Sequence, residues 1–106
     1  MIQKFNAIKL NEADNVAVAL TNIKQGEYLS IKGKDDKLQV MENIPYGHKI
    51  ATVFIRKEEK VIKYGECMGI TTEAIYEGYH VHTSNVRGLK EEERLDILKQ
   101  STSFHA

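Results

Sequence analysis

Apolar residues in this chain fall in short clusters, the longest running from Val16 to Leu20, and polar stretches, several with a glycine, separate them. From Lys4 to Leu10 apolar and polar positions partly alternate, which suits a strand with one buried face. Residues 11–15 read as a turn. Val16 to Ile23 fits a buried strand or a short helix, because periodicity does not separate the two at this length; a strand is the expectation. The polar stretches Lys24–Glu27 and Lys32–Lys37 set off Tyr28–Ile31 and Leu38–Met41 as hairpin-like turns do. Pro45 opens Pro-Tyr-Gly, where a fixed φ followed by a permissive glycine predicts a tight turn before the next strand.

Further on, His48–Ile55 alternates in part, Lys57–Lys60 is a charged turn, and Val61–Tyr64 runs as a strand into Gly65. Gly69 ends the short strand that follows. Thr71 or Thr72 is expected to cap one or two helical turns through Ala74 and Ile75, since a threonine oxygen can accept from an unpaired amide. A strand returns over Tyr79–Val86. After Gly88 the pattern changes: Leu95 and Leu98 share one face of a charged helix, which either rests on its own domain or docks on another chain. Residues 101–106 are expected to fray. No internal repeat is evident. The pattern predicts a compact, mainly β domain with short helical turns over residues 1–88, followed by a C-terminal helix and tail over 89–106.

Composition narrows the function classes. At 106 residues a second independent core is not expected. Fifteen basic residues balance fifteen acidic ones, so no global field draws the chain to nucleic acid or to an anionic membrane. The one cysteine, Cys67, has no disulfide partner within the chain, and no apolar run approaches a membrane span. A soluble, reducing, cytoplasmic setting is the expectation. Apolar residues make up 42% of the chain and tryptophan is absent, which leaves room for a partner, or a further copy of the chain, to cover part of the surface.

Candidate chemistry concentrates in Gly78-Tyr-His-Val-His-Thr-Ser-Asn85. On a strand His80, His82 and Ser84 would project together. Two imidazoles at this spacing are half a metal site or a polar strand face, because a site needs three or four donors. Gly47-His48-Lys49 follows the proline turn and reads either as an ordinary exposed turn or as a place where an imidazole and an ammonium reach an anion. Asp14 reads as an Asx-type turn residue binding its own backbone. Cys67 reads as a small apolar filler. There is no phosphate-binding glycine loop, nucleophile elbow or paired cysteine motif.

Taken in order, Asp14-Asn-Val-Ala-Val-Ala, Gly47-His-Lys-Ile-Ala, Val61-Ile-Lys-Tyr-Gly with Gly69, and the block ending at Asn85 resemble the small amino-terminal domain of the altronate and galactarate dehydratase family. The likeness spans about residues 5 to 88. It implies an SAF-type fold, similar to type III antifreeze proteins and the β-clip group, and a role in metal-dependent elimination from hydroxylated acids. Sugar-acid dehydratases of this kind lose water, and related sulfolactate lyases lose sulfite. The implied partner is a large catalytic subunit, the implied substrate a small anionic sugar acid, and the implied cofactor a divalent metal, iron or else manganese. By the same resemblance His48 and His82 are the candidates for catalytic proton transfer or metal binding, and Lys49 and Asn85 the substrate-binding ones; His82, with His80 beside it on the strand face, is the candidate metal pair. Where the family block reads His-x-His-Asn this chain has His82-Thr-Ser84-Asn85, so either His80, two residues before His82 on the same face, replaces the missing donor or the site is altered. A sugar-acid-binding module and a purely structural assembly domain are the non-catalytic alternatives.

Overall fold

The computed structural model describes residues 5–32 and 38–102, so most of the Lys32–Lys37 turn and the last residues of the tail lie outside the described residues. Among the described residues nine short strands precede one helix: β1 Ala7–Ile8, β2 Val16–Ala19, β3 Tyr28–Leu29, β4 Leu38–Gln39, β5 Lys49–Ala51, β6 Lys60–Lys63, β7 Glu66–Thr71, β8 His80–Val81, β9 Val86–Arg87 and α1 Glu91–Thr102. They form a four-stranded sheet in the order β1-β2-β5-β8, a β3-β4 pair and a three-stranded sheet β6-β7-β9, with every neighbouring pair antiparallel. The mainly β architecture and the terminal helix match the pattern of the sequence, and Val16–Ala19 is strand rather than helix.

Beneath this topology lies an eleven-residue repeat that was not evident from the sequence. Its four copies start at Ala19, Val40, Ala51 and Thr71 and share a buried first residue, isoleucine at the fifth position, a turn residue at the eighth and Leu, Ile or Val at the eleventh. The eighth residues, Gly26, Gly47, Glu58 and Gly78, all have left-handed φ, from 63° at Glu58 to 93° at Gly26. Glycine suits that conformation, and Glu58 holds it at a steric cost.

Copies pair reciprocally through the backbone. Ile23 and Ile44 exchange two hydrogen bonds, as do Ile55 and Ile75. In each copy the eighth amide donates to the carbonyl of the partner copy's first residue, whose own amide donates back to the ninth carbonyl: Gly47 N to Ala19 O at 2.9 Å and Ala19 N to His48 O at 2.9 Å, for example. The first two copies add side-chain ties, Asn22 Oδ1 accepting from Tyr46 N and Asn43 Oδ1 from Gln25 N. Their counterparts in the second pair are Ala74 and Phe54, and Phe54 instead meets Tyr76 with ring centroids 4.9 Å apart.

Each pair makes its own core. Ala19, Ile23, Leu29, Val40, Ile44 and Ile50 cluster with Ala7 and Ala17, whereas Ala51, Ile55, Val61, Ile75 and Val81 cluster with Val16. The register sends Ala7, Ala17, Ala19 and Ile50 to one face of the four-stranded sheet and Val16, Ala51 and Val81 to the other. The sheet therefore lies between two cores, and β2 reads as an apolar run because both its faces are covered.

Three local expectations are corrected. Residues 72–78 form bends and a turn around the Ile75 bridge, not a helix. The threonine signal there has another use: Thr71 Oγ1 donates to Arg56 O and accepts from Glu59 N, satisfying a hydroxyl in a residue only 1% exposed. The strand expected over Tyr79–Val86 stops at Val81, and 82–85 turn the chain into β9. Asp14 does not bind its own turn. Its carboxylate accepts from Tyr64 N at 3.0 Å and Gly65 N at 2.8 Å, holding the β6–β7 hairpin across the chain, while Asn11 Oδ1 supplies the Asx contact to Ala13 N.

Candidate metal centre

On β8, Val81 points into a core and His80 and His82 point away from it. His80 lies opposite Ile50 of β5, and His48 immediately precedes β5, so the β5–β8 pairing carries His48 to the same corner. The Pro45 turn closes with His48 N donating to Pro45 O at 3.0 Å, which fixes where that imidazole leaves the backbone. His48 Nδ1 and His80 Nε2 stand 2.8 Å apart, a hydrogen bond in which one nitrogen carries the proton and the other accepts it. His82 stacks on His48 at 4.4 Å between ring centroids and lies 5.1 Å from His80.

One ring nitrogen from each of the three histidines lies within 4.8 Å of the others. Imidazoles on one ion would hold those nitrogens roughly 3–3.5 Å apart. Three imidazoles at a solvent-facing corner fit a divalent first-row ion and leave coordination positions open. Burial, and then the neighbouring His48 and His82, hold His80 below the ordinary histidine pKa despite the opposing pull of Glu42, and this lowering favours the neutral ring a metal requires.

The structure brings His80 and His82 together, and His48, assigned a role by resemblance, stands with them as the third imidazole of the cluster. Ser84 stands in the turn after β8, off the strand. Lys49 leaves the group: its register partners are Val18 and Val81, which place it on the opposite sheet face from His80. Burial and the repulsion of Lys63 lower its pKa. Asn85 was expected to meet substrate, and its amide is engaged at both ends with backbone, Oδ1 accepting from His82 N at 2.9 Å and Nδ2 donating to His80 O at 2.7 Å. The sequence reading missed Glu42, whose Oε1 accepts from His80 N at 2.8 Å. Nothing in Met41-Glu-Asn singles it out, because the contact arises only when the second repeat folds beside β8.

Comparison with known proteins places this geometry in context. The model of the altronate/galactarate dehydratase SAF domain matches residues 5–89. Altronate dehydratase of Escherichia coli is 39% identical over 80 residues, and that of Bacillus subtilis 36% over 80, in each case covering 76% of this chain and 16% of the relative. The alpha subunit of (2R)-sulfolactate sulfo-lyase from Chromohalobacter salexigens is 33% identical over 84 residues, covering 74% of this chain and 89% of that subunit. This chain thus spans about a sixth of the length of the altronate dehydratases it matches and most of the length of the sulfo-lyase subunit. Since that family model covers most of the chain, the chain belongs to the altronate/galactarate dehydratase SAF domain family.

Proposed function

We propose that this chain is the small subunit of a two-chain, metal-dependent lyase that eliminates a leaving group from a hydroxylated carboxylic acid. The observation that carries the reading is the His48–His80–His82 cluster on a domain whose relatives are lyases. The match to most of a protein named as an alpha subunit supports the two-chain arrangement and favours an acid of the sulfolactate type, with sulfite departing. Sugar-acid dehydration is the second reading, supported by the higher identity to the altronate dehydratases.

In either reaction a proton leaves the carbon beside the carboxylate and the bond to the leaving group breaks with its electron pair. A divalent ion at the three histidines would supply positive charge against the negative charge that develops on the acid. Iron fits better than manganese, which prefers oxygen donors. With all three rings committed as ligands, none remains to accept the substrate proton, and that task falls to another group of the assembled site. The chain's own task is to hold the ion at a surface corner where a second chain closes over it.

The test is to co-produce the chain with its large subunit, load Fe2+ or Mn2+, and assay elimination from sulfolactate, altronate and galactarate. Elimination from at least one acid, lost in His82→Ala, is expected. A metal-loaded complex that is inert towards all three acids overturns the lyase reading. Activity that survives replacement of His48, His80 and His82 together makes this chain an assembly module instead.

A further inference from the structure

We infer that Asn85 is a positioning residue for the histidine cluster, acting through a backbone bracket that the fold also uses twice elsewhere. Asn6 Nδ2 donates to Tyr28 O at 2.9 Å while its Oδ1 accepts from Ser30 N at 2.7 Å. Asn15 Nδ2 donates to Lys60 O at 2.8 Å while its Oδ1 accepts from Ile62 N at 2.8 Å. Asn85 repeats the arrangement on His80 O and His82 N. In all three cases one amide spans the residue closing a repeat copy, Leu29, Val61 or Val81, and fixes the carbonyl before it and the amide after it. The copy ending at Ile50 needs no bracket, because β5 is paired on both sides, with β2 and β8.

What differs is the cargo. Around Leu29 and Val61 the bracketed groups belong to Tyr28, Ser30, Lys60 and Ile62; around Val81 they belong to two of the three histidines. β8 is the edge of its sheet, so its outward backbone groups need partners. Asn85 meets two of them and Glu42 the third, His80 N. His80 is therefore held at both its amide and its carbonyl, and His82 at its amide, before any ring contact is made. Fixing two Cα–Cβ vectors in this way lowers the entropy lost when both rings converge on one ion. This rests on the proposed metal centre, and it makes Asn85 and Glu42 determinants of metal affinity without being ligands.

The other brackets are internal controls. The experiment is titration of the metal-free chain with Zn2+ and with Co2+, whose visible absorption reports its ligands, in the wild type, Asn85→Ala, Glu42→Ala, Glu42→Gln and Asn15→Ala. Asn85→Ala should weaken binding roughly 10- to 100-fold, the range seen for outer partners of metal ligands. Glu42→Ala should weaken it too, and Glu42→Gln, which keeps the accepting oxygen, should restore most of the loss. Asn15→Ala should lower the melting temperature while leaving metal affinity within about twofold of wild type. Wild-type affinity in Asn85→Ala, or an equal loss in Asn15→Ala, overturns the inference. Should Asn85→Ala not fold, the Glu42 pair decides, since full affinity in Glu42→Ala also overturns the two-sided clamp. If the wild type binds neither ion, the metal centre fails by itself, and 15N spectra of the imidazoles then judge the bracket. Loss of the His48–His80 hydrogen bond in Asn85→Ala supports it, and an unchanged spectrum rejects it.

Discussion

A carboxylate or an imidazole in this protein matters through what it reaches across the fold. Asp14 is 4% exposed and accepts two backbone amides of the Tyr64–Gly65 turn, where both residues have left-handed φ. Asp14→Ala should cost about 2 kcal/mol, because two amides then lose a charged acceptor; chemical denaturation measures it, and a change under about 0.5 kcal/mol would contradict the hairpin-clamp role. Each of His48→Ala, His80→Ala and His82→Ala should reduce bound metal by more than the roughly 10- to 100-fold expected for an outer partner. Metal content equal to wild type in any one of them removes that residue from the ligand set. The pair His80 and His82 was visible in the sequence because alternation on a strand puts i and i+2 on one face. His48 was visible only as a separate candidate, since a strand pairing across 32 residues leaves no local mark. Asp14 misled for the same reason: its partners stand about fifty residues away, and the Asx role expected of it fell to Asn11.

Among the elements, the repeat turn sets the energetic rules. Gly78 has φ of 86°, and a Cβ there would run into the carbonyl of Gln39, so Gly78→Ala should destabilise by more than about 2 kcal/mol. Glu58 occupies the equivalent turn position with φ of 63°. Glu58→Gly should be neutral or stabilising by up to about 1 kcal/mol, because relief of left-handed strain exceeds the added freedom of the unfolded chain. Opposite signs at two matching positions would be read directly from thermal melts, and a strongly destabilising Glu58→Gly would show that the four turns are not equivalent. Helix α1 follows different physics. Arg87 forms a two-pronged pair with Glu93 at 2.8 and 2.9 Å, and the Lys90 amide adds a third contact to that carboxylate. The Arg87 side chain and the Lys90 amide pull the Glu93 carboxyl from its ordinary 4.5 to about 2. A depressed carboxyl stabilises the folded state above its unfolded value, so this contribution is fully present above pH 4.5 and is lost as pH falls towards 2. Backbone NMR of α1 should show the first turn loosening over that window in the wild type, with Glu93→Gln already loosened at neutral pH and flat across it.

At the scale of the molecule, the three histidines join the two pseudo-symmetric halves: His48 lies in the second repeat copy, His80 in the fourth and His82 just after it. Binding an ion there should stabilise the whole fold, by about 2.7 kcal/mol at a hundredfold excess over Kd, with EDTA reversing the shift in melting temperature. No shift on adding Fe2+, Mn2+ or Zn2+ would argue against a preformed centre. The short strands and terminal helix were legible because burial writes itself into apolar spacing. The repeat was not, since its first position varies from alanine to threonine, its glycine becomes Glu58 in one copy, and its defining contacts are backbone hydrogen bonds. Its second and third copies meet without a spacer, Ile50 facing one core and Ala51 the other within β5. There is consequently no hinge between the halves. They cannot swing as lobes, so the histidine corner keeps its place relative to both cores, and slow hydrogen exchange should vanish from both cores together.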